Sequence, residues 1–253
     1  MPSAPANDHH AFWGTNDDAR RCTRTSLIAN GAIYALFGAA IGGWLPFWAF
    51  ACVAPVLVVR WMLSVHELFH LKTEREVDPI TRLLPLMLTP LSLGYREFLE
   101  IHRGHHRHMA TREDPEYFQL RGDPLTGLAN AMTAPEQAFF RWIARRGVDR
   151  ALVGGIVIRV ALFAGLVTAS GAAFWWYWVP VRLGFGASYF AFFYCLHRRG
   201  PEYGVYRLAL PAGLDRVFRT LFGRDAVMAM CHHDVHHSYP RVAAGHLDRL
   251  SLR

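Results

Sequence analysis

Charged side chains are missing from two long stretches of the chain. None occurs between Thr25 and Val59, and between Ala151 and Leu196 the only ones are Arg159 and Arg182. Uncharged apolar runs of about 20 residues have the length of a helix that crosses a bilayer. The first run is too long for one crossing and contains Gly42-Gly43-Trp44-Leu45-Pro46, whose Gly and Pro interrupt helix. It divides into a span over about 27–43 and another over about 46–64, joined by a tight uncharged turn. Arg60 and Trp61 mark the return to the water interface, and the helix continues into His66 and His70. A third span is expected over 152–170. A fourth runs over 174–196, bent at Pro180 and opening on the aromatic belt Phe174-Trp175-Trp176-Tyr177-Trp178. Arg159 is expected to snorkel to the cytoplasmic side and Arg182 to the opposite side.

Residues 71–150 carry both signs of charge and read as a cytoplasmic segment. Within it, 80–95 is apolar but broken by Pro85 and Pro90 and too short to cross, so it is expected to lie in the interface or dip into it. Residues 95–108 read as a helix, and Asp114-Pro115 and Asp123-Pro124 as loops. Residues 1–24 form a polar N-terminal tail with no cleavable signal pattern, in which His9 and His10 are expected to lack fixed structure. Residues 25–253 form one membrane domain. The predicted fold class is therefore all-α: an integral membrane bundle of about four transmembrane helices with a cytoplasmic helical cap. Arg20, Arg21 and Arg24 before the first span, and the basic stretch 197–253 after the last, put both termini in the cytoplasm.

Composition agrees with a membrane class. The 253 residues are 52% hydrophobic and only 19% charged, below the roughly 25% of soluble domains. The net charge of +7 is read as cytoplasmic flanks, with no nucleic acid as partner. Cys22, Cys52, Cys195 and Cys231 are scattered without a CxxC, which excludes a disulfide framework.

The chemistry lies in the 14 histidines. Most fall in three clusters: His66-Glu67-Leu68-Phe69-His70, His102-Arg103-Gly104-His105-His106 and His232-His233-Asp234-Val235-His236-His237. Neutral imidazole is the commonest metal ligand, and residues three or four apart share a helical face. His66 and His70 can chelate one ion. His102, His105 and His106 present a face whose adjacent pair can diverge to two ions, and His233, His236 and His237 repeat it. His232 with His236 offers a rival i, i+4 register; the His233 register is chosen because it gives HxxHH followed by Pro240. His197 is a further candidate. Nine imidazoles exceed the needs of one ion, so two metal ions are expected, Fe, Zn or Cu in preference to Mg or Ca. The topology puts all three clusters on one face of the bilayer.

HxxxH, HxxHH and a C-terminal HxxHHxxP, separated by pairs of spans, resemble the membrane fatty acid desaturase and hydroxylase superfamily over about 60–247. Pro240-Arg241-Val242 fits as well, and His197 in Tyr194-Cys195-Leu196-His197 resembles the extra histidine after the last span. The resemblance implies a non-haem centre of two Fe ions with O2 as co-substrate. Its ligands would be His66, His70, His102, His105, His106, His197, His233, His236 and His237. It also implies a lipid or acyl substrate and an external electron donor, a ferredoxin, cytochrome or reductase. Glu67, Asp114 and Asp234 stand where they could orient ligand imidazoles. No catalytic residue beyond the ligands is expected. Desaturation of a fatty acyl chain of a lipid or thioester is the first reading, and hydroxylation or ketolation of a lipid or carotenoid the second. The expected location is a bacterial inner membrane with the metal site cytoplasmic.

Two readings from other classes use the same residues. His66-Glu67-Leu68-Phe69-His70 matches the HExxH of zinc metalloproteases, with Glu97 or Glu100 as third ligand, but it would leave the other two clusters unused. A metal transporter would bury its ligands in the middle of spans, whereas these stand at the ends.

Overall fold

The computed structural model describes residues 9–109 and 111–250. Among them the chain is mostly helical. Helices α1 (Asn16–Ile41) and α2 (Phe47–Leu71) form the first antiparallel pair. After a short α3 (Pro79–Leu83) come α4 (Tyr95–His108), α5 (Pro124–Met132) and α6 (Ala134–Arg146). The second long pair is α7 (Arg150–Ser170) and α8 (Phe174–Tyr189), the latter prolonged by a wide π turn over Phe190–Cys195. A two-residue hairpin, β1 (Arg198–Arg199) with β2 (Glu202–Tyr203), leads to α9 (Ala212–Phe222), α10 (Arg224–Cys231) and α11 (His233–Ser238).

Two stretches are long and apolar enough to cross a membrane, Phe47–Leu71 and Arg150–Cys195. The second holds the α7–α8 pair, divided at Gly171, whose φ of +52 favours glycine. The first turns of helix α1 are charged. They belong to the helix, which begins at Asn16, inside the stretch read as a tail. Thr15 and Asp18 cap it reciprocally, Thr15 N–H donating to Asp18 at 2.8 Å and Asp18 N–H to Thr15 at 3.2 Å. His9 and His10 do have a fixed place. They lie in a turn over His9–Phe12, their rings tilted against Tyr239 and Trp13, and Gly14 N–H donates to the Arg241 carbonyl.

The main core runs between α1, α2 and α8. Ile33, Phe37, Phe50, Ala54, Val58, Tyr177 and Val181 are fully buried in it. Close approach of α2 and α8 depends on Gly184, where a Cβ would stand 2.6 Å from the Pro55 Cα. The apolar stretch 80–95 packs against the bundle. After Leu84 it runs without helix down the bundle, burying Leu86, Met87, Leu88 and Leu93. Tyr34 donates to its Pro85 carbonyl (2.5 Å) and Trp178 to its Leu88 carbonyl (2.7 Å). Irregular backbone in an apolar layer needs such protein partners. Trp178 lies about 28 Å of helical rise from His197, so the stretch reaches far along α8.

Residues 124–136, within the stretch expected to be cytoplasmic, form helix α5 and the start of α6. Helix α5 packs along α8, with Gly127 against Tyr194 and Met132 against Gly186. Arg182, expected to snorkel to the far side, instead turns inward to Glu136 of α6 at 2.6 Å and is 5% exposed. A buried guanidinium needs a paired carboxylate, and α6 brings one that distant sequence could not reveal. Arg159, 2% exposed, lies beneath the start of α4 beside Gly94 and Gly155.

Candidate metal centre

All nine histidines singled out in the sequence converge at one end of the bundle. His66 and His70 occupy the last turns of α2, whose Leu68 and Lys72 carbonyls accept from Tyr95 Oη at 2.8 and 3.0 Å. This clasp ties the end of α2 to α4, which carries His102, His105 and His106. The π turn after α8 delivers His197, and α11 delivers His233, His236 and His237.

The rings sort into two groups. His66, His70, His102, His106 and His236 bring one nitrogen each within 4.8 Å of one another, and so do His105, His197 and His237. His233 joins the second, its Nε2 3.2 Å from that of His197. The adjacent pairs His105-His106 and His236-His237 are each divided between the groups, because successive residues on a helix point about 100° apart. His232 breaks the chain between α10 and α11 and stands in neither group.

The donor set fits metal. His70 and His102 nitrogens lie 2.7 Å apart, and those of His197 and His237 3.1 Å. Two ring nitrogens bound to one ion at about 2.0–2.1 Å would sit roughly 3 Å from each other. Both nitrogens of His106 and of His236 are buried without a hydrogen-bond partner, a costly arrangement unless something accepts their lone pairs. Burial first, and the neighbouring imidazoles second, hold His102, His236 and His237 well below the usual histidine range, and His106 down to about 2. Burial, then His197 and His105 respectively, do the same for His233 and His197. These rings are neutral and able to donate lone pairs.

The surroundings orient several rings. His197 Nδ1 donates to the Phe193 carbonyl at 3.0 Å, which leaves Nε2 as the free donor nitrogen. His105 Nδ1 meets buried Asp114 at 2.8 Å. Burial alone would lower the pKa of His105, but the Asp114 bond and charge outweigh it and raise it. Glu67, also buried, sits 3.4 Å from His66 Nδ1 without hydrogen-bond alignment. Asp234 faces elsewhere: both its oxygens accept from Arg207 Nε at 2.7 Å, which pins α11 to the preceding segment. Glu97 and Glu100 are engaged by Gly94 with Arg96, and by Arg146.

A narrow cavity of about 70 Å³ reaches the first group, with His66 and His102 in its wall among Trp61, Leu86, Phe185 and Phe192. The wall also contains Glu116, which sequence reasoning passed over. It is 4% exposed, accepts from Gln119 at 3.1 Å, and burial pushes its carboxyl up to about 8. Its signal was present in Glu113-Asp114-Pro115-Glu116, a carboxylate two residues beyond the histidine-orienting one, but nothing in the spacing told it from a surface acid.

The metal-free cluster should be acid-labile. The unfolded chain binds protons on these histidines below about pH 6.5, while the folded rings with lowered pKa do not, so stability present at neutral pH is lost as pH falls. Each such ring contributes about 1.4 kcal/mol per pH unit below that point. The thermal transition of chelator-treated protein in detergent is therefore expected to fall steeply between about pH 7 and pH 5.

The family model described as Fatty acid desaturase matches residues 42–253. No curated protein and no solved structure matches the chain.

Proposed function

The chain belongs to the fatty acid desaturase family, and from that premise we propose that it is a membrane-bound di-iron oxidase that desaturates a fatty acyl chain. The observation that carries this reading is the division of nine converging imidazoles into two groups beside an apolar cavity. His66, His70, His102, His106 and His236 would hold one iron, and His105, His197, His233 and His237 the other. When bound, the irons supply the activation of O2 with two external electrons and two protons, so that two hydrogens leave adjacent carbons and two waters form.

The chain's own residues do the rest. Trp61, Leu86, Phe185 and Phe192 hold the methylene chain and exclude water at His66 and His102. Asp114 and the Phe193 carbonyl fix the rings of His105 and His197. The four long helices α1, α2, α7 and α8 are assigned as spans, with the histidine end and both termini on the cytoplasmic side, where a separate donor can deliver electrons. A zinc hydrolase finds less support, since Glu97 and Glu100 stand outside both groups.

Lipid profiling of a bacterial host expressing the gene tests the proposal. New acyl double bonds that depend on iron and O2 are expected. New hydroxyls or oxidised carotenoids would replace desaturation with those reactions, and a single zinc per chain without new lipids would end the oxidase reading.

A further inference from the structure

Glu116 stands between two cavities. One is the apolar cavity of about 70 Å³ that reaches His66 and His102. The other, about 540 Å³, lies on the other side of α4, and the exposed side chains of Arg103, Arg107 and Arg145 line it. Glu116 is the one residue that lines both. Apolar and aromatic side chains dominate the first wall and charged ones the second, so the groove between α4 and α6 is the wet side of the partition.

The local structure fixes Glu116 in that place. A Cβ at Gly104 of α4 would stand 2.8 Å from the Pro115 side chain, so this glycine lets the loop pack closely on the helix. The Glu116 N–H donates to Asp114 at 2.8 Å. Gln119, 2% exposed, donates to one carboxyl oxygen at 3.1 Å. The other oxygen, Oε2, is buried without a hydrogen-bond partner, and Tyr189 on the cavity wall faces the carboxyl outside hydrogen-bond geometry. A purely structural acid gains nothing from an orphaned oxygen.

The proposed reaction consumes protons: R–CH2–CH2–R′ + O2 + 2 e− + 2 H+ gives R–CH=CH–R′ + 2 H2O. The electrons come from the external donor. The walls that keep water from the methylene chain also keep out hydronium, so the protons need a carrier. A carboxyl that meets solution on one side and the cavity on the other can take up a proton and hand it on. Arg103, Arg107, Arg141 and Arg145 have no carboxylate partner among the described residues, and they line the wet side. Their charge stabilises the carboxylate that remains once the proton has left. His105 and Asp114 act on it from the histidine side.

We propose that Glu116 passes protons from the groove between α4 and α6 into the apolar cavity, supplying those that O2 reduction consumes there. In each delivery the Glu116 O–H bond breaks, the proton ends in water, and a proton from the groove restores the bond. This rests on the oxidase reading for what consumes the protons, but the connection to solution is measured without turnover.

Infrared spectra of full-length, iron-loaded protein in maltoside micelles at neutral pH are compared between wild type and Glu116→Gln. The difference is expected to contain the carbonyl band of one protonated carboxylic acid, which shifts within seconds of transfer to D2O. No such band, or a band that fails to shift over hours, overturns the proposal. Turnover is followed in isolated host membranes reduced with dithionite and mixed with oxygenated buffer. Glu116→Gln is expected to form product at least about a hundredfold more slowly, with unchanged iron content and helicity and a larger solvent deuterium isotope effect. Formate should restore part of the rate to Glu116→Ala, where truncation leaves room for a small acid, and leave wild type unaffected. A wild-type rate in Glu116→Gln, an unchanged isotope effect, or no rescue by formate overturns the proposal in favour of a structural role. If the glutamine variant misfolds, the alanine variant supplies both comparisons. A wild type that makes no product but shows the exchanging band overturns the oxidase reading and leaves the proton path standing.

Discussion

Replacing His236 by alanine is expected to abolish product while the protein still reaches the membrane. His236 is buried, belongs to the first histidine group, and touches the rings of His66, His70 and His106. Removing it takes one donor from the group proposed to hold an iron beside the apolar cavity. His237→Ala should do the same from the other group, where His237 lies 3.1 Å from His197. Loss of a metal ligand exceeds the roughly 10–100-fold typical of an outer-shell partner, so turnover should fall by more than about a hundredfold in each. The two variants should also lose metal, retaining about one iron of two, as elemental analysis of purified protein would show. His232→Ala is the control. Its ring stands in neither group, and it should keep its iron and most of its activity. Full turnover by either His236→Ala or His237→Ala would remove the proposed ligand set.

Asp114→Asn should cost about 10–100-fold in iron affinity or turnover. Asp114 is 2% exposed and meets His105 Nδ1 at 2.8 Å, and its other oxygen accepts from the Glu116 N–H, also at 2.8 Å. The carboxylate holds His105 in the tautomer that turns Nε2 toward His197 and His237, and it makes that imidazole a stronger donor. An amide of the same shape keeps the packing but removes the charge. Wild-type folding with weakened iron binding is the expected signature, read by metal titration alongside product formation. Glu67→Gln should retain substantial activity, because Glu67 lies off the hydrogen-bond line of His66. Complete inactivity there with zinc bound would favour the hydrolase chemistry of HExxH.

Much of this site is legible in the primary structure because helical geometry is local. The i, i+3 and i+4 spacings tell which imidazoles within a cluster share a face, and also that His105 and His106, or His236 and His237, must point apart. Hydropathy marks the long apolar helices because every apolar side chain in a span must meet lipid or core. The charged early turns of α1 blur that signal, since Asp17, Asp18, Arg20, Arg21 and Arg24 continue one helix with the apolar residues that follow.

Partners distant in sequence were beyond such reading. Asp234 is adjacent to a ligand candidate and still turns to Arg207, because α11 is a short helix whose outer face meets the segment before α9. Arg182 finds Glu136 only because α5 and α6 fold down beside α8. Glu116 is one acid among several until the loop after α4 brings it into the cavity wall beside Phe185 and Tyr189.

The order of residues along this protein determined its helices, its apolar lengths and the imidazoles that each helix offers together, since all of these follow from a period of 3.6 residues and from side-chain hydropathy. Only the tertiary structure decided which imidazole from each cluster meets which, where the apolar cavity ends and which arginines go unpaired. Those outcomes depend on packing between segments more than a hundred residues apart, as α2 and α11 are, and no local period carries information over that distance.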